Sequence, residues 1–317
     1  MKAIVYTRYG APDVLEIKEV ATPRPRDNEI LIKVRATTVT SGDRRVRALD
    51  IPLGFKLISR LVFGVTRPRN PILGTELAGD VVAVGKGVSK YAVGDPVFAF
   101  SGVRMGCYAQ YKCMPEDAAV AKKPANLGYD EAAALSFGGT TALHFLRRAN
   151  IARGERVLVI GASGSVGSAA VQLGEYFGAQ VTGVCSGANA ALVRSLGAKS
   201  VIDYTQEDFA KTGVAYDIIV DAVGATTFPR CKNLLADRGR FLAVSANLPQ
   251  MLSIAFAALT GRKRVIAGPA PERADDLHFL AKLAQAGEFR AVIDRRYPFE
   301  QIVEAHRYVD TGRKRGN

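Results

Sequence analysis

A chain of 317 residues with 48% apolar content can bury the cores of two domains, which excludes intrinsic disorder. Four cysteines staple too little for a disulfide scaffold, and no glycine period points to collagen. The 43 Lys and Arg against 30 Asp and Glu leave a net charge of +13, which admits nucleic acid, an anionic membrane surface or an acidic ligand without choosing among them.

In chain order, Met1-Lys2-Ala3-Ile4-Val5-Tyr6 reads as a strand, too short in its apolar run for a signal-peptide core. Val14 to Val20 alternates as a half-buried strand should; Glu29 to Val39, Ala78 to Val84 and Tyr108 to Met114 are further strands. Turn signals at Pro23-Arg24-Pro25, Asn70-Pro71, Gly85-Lys86-Gly87 and Gly94-Asp95-Pro96 separate them, and only 53–63 carries helical spacing. After Pro124 the pattern changes. Asp130 to Leu135 and Thr140 to Ala149 read as helices, followed by strands at Arg156 to Gly161, Val181 to Cys185, Val201-Ile202, Tyr216 to Val220 and Arg240 to Val244. Helices at Ser165 to Tyr176 and Ala188 to Leu196 alternate with them, the pattern of a parallel sheet covered on both faces. A helix (Asp275 to Ala286), a strand (Val292 to Tyr297) and a helix (Phe299 to Asp310) complete the chain. The uncharged stretch from Phe241 to Gly261 is broken by Ser245, Asn247, Pro249 and Gln250, so it falls short of a membrane span and a cytoplasmic location is expected.

The most informative segment is Val157-Leu158-Val159-Ile160-Gly161-Ala162-Ser163-Gly164-Ser165-Val166-Gly167, where a buried strand enters a glycine turn and a helix follows. That context suits a dinucleotide fingerprint: Gly164 lets backbone approach a pyrophosphate, Gly167 lets helix and strand pack closely, and the helix N-terminus faces the negative charge. Ala162 replaces the usual first glycine, with Gly161 just before it. The next strand ends Val184-Cys185-Ser186-Gly187 with no carboxylate, where an NAD site places Asp or Glu. A small hydroxyl there accommodates a 2′-phosphate, so NADPH is the expected cofactor, with Ser186, Asn189 and Tyr204 as phosphate contacts and Arg194 read as a solvated helix residue.

The chain resembles the medium-chain dehydrogenase/reductase superfamily, in particular the zinc-free quinone oxidoreductases like zeta-crystallin. The resemblance runs through Tyr9-Gly10-x-Pro12-Asp13-Val14-Leu15, Pro71-x-Leu73-Gly74-x-Glu76-x-Ala78-Gly79 and Val84-Gly85-x-Gly87-Val88. It continues through Gly94-Asp95-x-Val97, Thr140-Thr141-Ala142, Leu196-Gly197-Ala198-x-x-Val201-Ile202-Asp203-Tyr204 and Tyr216-Asp217-x-x-x-Asp221-x-Val223-Gly224. It implies an α/β chain with a GroES-like β-rich substrate domain (1–125 with 270–317) and an inserted Rossmann domain, a doubly wound parallel sheet (126–269). In such relatives a short apolar strand follows the position of Gly316-Asn317, so the natural chain is expected to run on. The resemblance implies that Thr141, Val223 and Gly224 lie at the nicotinamide end, with Ser245 a further cofactor contact.

Zinc-dependent relatives have Cys where this chain has Thr40 and His where it has Thr75, and a threonine hydroxyl is a poor zinc ligand. Cys107 and Cys113 form no Cys-x-x-Cys, and His144, His278 and His306 are isolated, so no zinc is expected. Without a Lewis acid, alcohol oxidation is difficult, whereas hydride transfer to a conjugated carbon remains easy. The resemblance therefore implies an NADPH-dependent reductase of quinones or α,β-unsaturated carbonyls, in a homodimer. Asp43 matches the family pattern, while Thr40 stands where zeta-crystallin has Asn; it reads either as a partner of the carboxamide or substrate carbonyl, or as a strand-end cap. No side chain stands out as proton donor, which leaves water. Tyr108-x-x-x-Lys112 mimics the pair of short-chain dehydrogenases but falls in a strand, not on a helix downstream of the glycine loop.

Two apolar-basic stretches remain, Ile51 through Val65 and Met251 to Leu259 before Arg262-Lys263-Arg264. They read either as core or dimer contact, or as a lid and funnel for a lipophilic acceptor with basic residues on an anionic membrane. The dense segment Arg44 to Arg69 carries seven basic residues and one acid, Asp50, while Arg313-Lys314-Arg315 reads as solvated surface. Two rival functions stay open: an enoyl-thioester reductase whose substrate phosphates meet 44–69, and a nucleic-acid-binding protein that retains a dinucleotide fold.

Overall fold

The computed structural model describes residues 1–317 except 52, 53, 248–250, 252, 253 and 255–261. The expected apolar stretch from Met251 to Leu259 therefore lies largely outside the described residues. Strands β1 (Lys2–Val5) and β2 (Glu16–Glu19) form an antiparallel pair. Next come β3 (Glu29–Thr37), β4 (Glu76–Val84), β5 (Pro96–Phe100), β6 (Tyr111–Pro115) and β7 (Val120–Lys122). They pair antiparallel in the order β6-β3-β4-β5-β7. Alternation along these strands puts Ile30, Ile32, Leu77, Val81 and Val97 into one buried cluster.

Between β3 and β4 lie α1 (Ser41–Ala48) and α2 (Lys56–Phe63). After β7 the chain forms α3 (Tyr129–Ala133) and α4 (Ser136–Arg148), the latter four residues longer at its start than Thr140 suggested. Then β8 (Arg156–Ile160), α5 (Ser165–Tyr176), β9 (Gln180–Cys185), α6 (Ala190–Ser195), β10 (Ser200–Asp203), β11 (Tyr216–Asp221), β12 (Leu235–Ala243) and β13 (Arg264–Ala267) follow. The six strands are all parallel in the order β10-β9-β8-β11-β12-β13. Renumbered from β8, this is 3-2-1-4-5-6, the doubly wound dinucleotide-binding topology, whose ligands bind at the carboxyl ends of the strands where the order reverses.

The helix Ala274–Gln285 packs against β7 and α4, joining the two sheets' flanks. The helix Ile302–Asp310 returns to the first part of the chain: Ile302 joins Ile4, Tyr6, Val46 and Tyr108 in one cluster, and Arg47 binds both Asp310 oxygens at 2.8 and 2.7 Å. The expected strand Val292 to Tyr297 is not one. Among the described residues its only backbone partner is Asn317, through Asp294 N–H to Asn317 O and Asn317 N–H to Val292 O, both 2.7 Å. Too little ladder forms there to make a strand.

Candidate functional site

The glycine turn is built as a cradle. Gly161 holds φ +79°, and a Cβ there would sit 2.6 Å from Val223 Cγ1. A Cβ on Gly167 would strike the Gly161 carbonyl oxygen at 2.0 Å, so α5 lies against the end of β8 only because residue 167 has no side chain. Gly164 is the N-cap of α5, and a Cβ on it would meet nothing closer than Gly161 O at 3.6 Å. Ala162 is fully buried beneath the turn, and Val166 packs in the same core. The Ser165 hydroxyl is buried with no partner among the described residues.

Above this turn opens a cavity of about 1170 Å³ lined by Gly161, Ser163, Gly164, Ser186, Asn189, Tyr204 and Val223. Asn189 ties the two sides together, donating from Nδ2 to Ser163 Oγ at 3.1 Å and to Ser186 Oγ at 3.3 Å. Tyr204 is anchored beside them through its N–H to Cys185 O at 3.2 Å. Arg194 is exposed on α6 and does not line the cavity. The carboxylate at the end of β10, Asp203, is occupied by the Thr205 N–H and hydroxyl at 2.9 and 2.7 Å, which holds its pKa low, and it too stays off the lining.

The structure also adds basic residues that sequence distance concealed. Arg313, Lys314 and Arg315 line the same cavity, because Gly316 N–H bonds to Ser163 O at 2.8 Å and draws the segment across the glycine turn. Arg315 is engaged by Asp294 at 2.9 Å, and Arg230, also on the lining, by Asp208 at 2.9 Å. Arg313 has no ion pair among the described residues. No pattern in the sequence relates 313–316 to 161–167; only the fold does.

On the neighbouring strand, opposite Ile160, Asp221 closes β11 and is buried. Its carboxylate accepts the N–H groups of Gly224 (2.8 Å), Ala225 (3.1 Å) and Thr226 (3.1 Å), which fixes the loop carrying Val223. Burial raises its pKa against those bonds. Gly224 lies next to Ser245 just past β12, a Cβ on it falling 3.3 Å from Ser245 O. Thr141 is buried in α4.

Thr40 and Asp43 are brought together, but turned inward. They form a reciprocal capping box at the start of α1: the Thr40 hydroxyl and N–H reach Asp43 Oδ2 at 2.7 and 2.9 Å, and Asp43 N–H returns to Thr40 Oγ1 at 3.1 Å. Neither has any exposed surface, and Thr40 caps the start of helix α1 rather than the end of a strand. Burial pushes Asp43 up to about 6 against the Thr40 bonds and the facing Tyr108 hydroxyl. The Thr-x-x-Asp spacing was the signal for α1, which periodicity alone did not predict.

Half-buried Arg45 follows on α1. Its Nη1 lies 3.4 Å from Ser245 Oγ, bridging from the first half of the chain to the parallel sheet. In the sequence it is one more arginine in a basic run. Glu76 is buried between the Thr38 hydroxyl and the Phe137 N–H, and burial raises it to about 7. The Thr75 hydroxyl is buried, without a partner among the described residues. No three His, Cys, Asp or Glu side chains cluster as a metal would require among the described residues. Tyr108 is fully buried and Lys112 Nζ donates to Met105 O, so the two form no catalytic pair.

The family model described as alcohol dehydrogenase GroES-like domain matches residues 26–125, and that described as zinc-binding dehydrogenase matches 196–317. The 2-methylene-furan-3-one reductase of Solanum lycopersicum is 31% identical, over 100% of this chain and 78% of its own length. The quinone oxidoreductase of Coxiella burnetii superposes with a TM-score of 0.88 at 30% identity, covering 100% of this chain and 97% of its own. This chain belongs to the quinone oxidoreductase group of the medium-chain dehydrogenase/reductase superfamily. Another solved member, the Escherichia coli quinone oxidoreductase complexed with NADPH, matches with a TM-score of 0.83 at 25% identity, over 100% of this chain and 98% of its own. The antiparallel sheet is thus the family's GroES-like domain and the parallel sheet its Rossmann domain.

Proposed function

We propose that this member is a zinc-independent, NADPH-dependent reductase of quinones or α,β-unsaturated carbonyls. The observation that carries the reading is the cradle: Gly167 packed on Gly161 beneath an open Gly164, at the mouth of a cavity with no carboxylate at the end of β9. The names of the tomato, Coxiella and Escherichia coli relatives support an enone or quinone acceptor and NADPH.

Residues 161–167 and the N-terminus of α5 would hold the pyrophosphate. Ser186, Asn189 and Tyr204 receive the 2′-phosphate, and Arg313 adds positive charge at the rim. Thr141, Val223, Gly224 and Ser245 border the nicotinamide. When bound, NADPH supplies hydride. Arg45 holds the acceptor's oxygen and stabilises the negative charge that develops there, and the proton comes from water. Thr40 and Asp43 serve as positioning residues, fixing the first turn of α1 and hence Arg45. Thr40 and Thr75 stand where a zinc site would need thiolate and imidazole, which supports chemistry without the metal.

The division into 1–125 with 270–317 and 126–269 belongs to this reading, as does a homodimer. Four unpaired cysteines, three of them buried, suit a reducing compartment and support the cytoplasm. No helix among the described residues is long and apolar enough to cross a membrane. The test is NADPH oxidation on adding quinones, enones, enals and enoyl thioesters in the presence of a chelator. Acceptor-dependent oxidation that the chelator leaves intact supports the proposal, and its absence with every acceptor refutes it.

A further inference from the structure

Helix α2 shows an apolar face to solvent. Leu57 is 73% exposed, and Ile58, Leu61, Val62 and Val65 are each at least half exposed. Positions 57, 58, 61, 62 and 65 recur at helical spacing, so they share one face and its continuation. No residue of α2 is buried. This excludes the core as their destination.

The face is not a frayed end. Phe63 packs against the cluster of Tyr6, Leu73, Met105 and Tyr108. Tyr9 donates its hydroxyl to Gly64 O at 2.9 Å, Arg69 N–H reaches Phe63 O at 2.7 Å, and Arg60 Nη1 reaches Val65 O at 2.8 Å. The protein therefore holds the C-terminal end of α2 firmly while leaving its aliphatic side chains in water, which opposes the hydrophobic effect unless something covers them.

The surrounding charge says what. Lys56, Arg60, Arg67 and Arg69 are all exposed, and no acid occurs between Gly54 and Asn70. The nearest, Asp50, is held by Arg44 at 2.7 Å. A second copy docking face to face would bring two sets of these cations together. A nucleic acid would take the charge but has no use for Leu, Ile and Val, since single strands bind by stacking on aromatic rings. An anionic bilayer surface satisfies both halves: acyl chains receive the aliphatic face and headgroups the cationic rim.

We infer that α2 is an interfacial docking helix that seats this protein on anionic lipid surfaces. The inference goes beyond the proposed reductase activity and stands without it, because binding is read with neither cofactor nor acceptor present.

The experiment is co-sedimentation of the full chain with vesicles of phosphatidylcholine alone or mixed with phosphatidylglycerol, at low and high salt. The wild type is expected to bind the anionic vesicles and to lose about tenfold in affinity at high salt, where the Debye length shrinks. Leu57→Ser with Leu61→Ser, both on exposed positions, is expected to lose binding with an unchanged melting temperature. Lys56→Glu with Arg67→Glu is expected to do the same. No sedimentation of the wild type, or binding that both double variants retain, overturns the inference. So does a wild-type dimer that Leu57→Ser with Leu61→Ser converts to monomer in sedimentation equilibrium, since the face would then belong between copies.

Discussion

A Cβ built on Gly167 would lie 2.0 Å from the carbonyl oxygen of Gly161, whereas one built on Gly164 would clear the same oxygen at 3.6 Å. The two glycines of one turn therefore do different work, and two alanines separate them. Gly167→Ala must push α5 away from β8, which is expected to cost roughly 1–3 kcal/mol and to weaken NADPH binding with it. Gly164→Ala makes only an ordinary contact with Gly161 O and projects a methyl group toward the cavity. It is expected to melt like the wild type while losing about tenfold or more in NADPH affinity, as a displaced charge-assisted hydrogen bond would predict. Thermal melts and fluorescence titration with NADPH check both.

Selectivity for the phosphorylated cofactor should follow the hydroxyl residues on the cavity lining beside Asn189. Ser186→Ala with Tyr204→Phe removes two of them without altering the sheet. The ratio of NADPH to NADH affinity is expected to fall about tenfold, the size of one or two hydrogen bonds to a charged group. A ratio unchanged from the wild type would show that the phosphate sits elsewhere, with Arg313 the next residue to replace.

The Rossmann half was readable because its signals are local. Val157 to Gly167 announces strand, turn and helix in eleven residues, and Ser165–Tyr176 forms where the pattern put it. The cofactor-loop residues converge on one cavity for the same reason. Arg45 and Arg313 were not readable, since an arginine's role depends on what lies across the cleft, and Ser245 and Ser163 are distant in sequence. Thr40 and Asp43 were legible as a pair, but their spacing spells a helix cap as readily as an active site. Val292 to Tyr297 has a strand's composition without a strand's neighbours.

Arg45 offers a separation of acceptor chemistry from cofactor binding. Arg45→Ala is expected to lower kcat/KM for the acceptor by 10- to 100-fold, about 1.5–3 kcal/mol for a hydrogen bond to developing charge, with NADPH affinity within about twofold of wild type. Arg45→Lys should recover part of the loss. Thr40→Ala should instead destabilise the chain by about 0.5–2 kcal/mol through the lost cap. Steady-state kinetics beside NADPH titrations distinguish the two.

Buried Glu76 sets a pH dependence whose sign is fixed. Burial raises its pKa from 4.5 to about 7, opposed by the Thr38 hydroxyl, the Phe137 N–H and Lys314, and reinforced by Asp43. The folded chain therefore keeps a proton that the unfolded chain releases, so this group's stabilisation is complete below about 4.5 and lost as pH rises to about 7. Buried His306, lowered by desolvation from 6.5 to about 3, acts in the opposite sense, adding stability as pH rises through that interval. In a comparison of wild type with Glu76→Gln the His306 contribution cancels. The melting temperature of the variant relative to wild type should climb between pH 5 and pH 8, and a flat difference would show that Glu76 is ionised throughout.

The proposed reaction moves hydride from NADPH to an electron-poor acceptor without a metal. Stopped-flow absorbance of the purified chain, with NADPH, a quinone or an enone and excess chelator, reads this directly. Acceptor-dependent loss of the reduced-nicotinamide signal is expected, slower with NADH and, at subsaturating NADPH, slowed about tenfold by Gly164→Ala. Oxidation of an alcohol with NADP⁺ that the chelator abolishes, or no turnover with any acceptor, would contradict the proposed reaction.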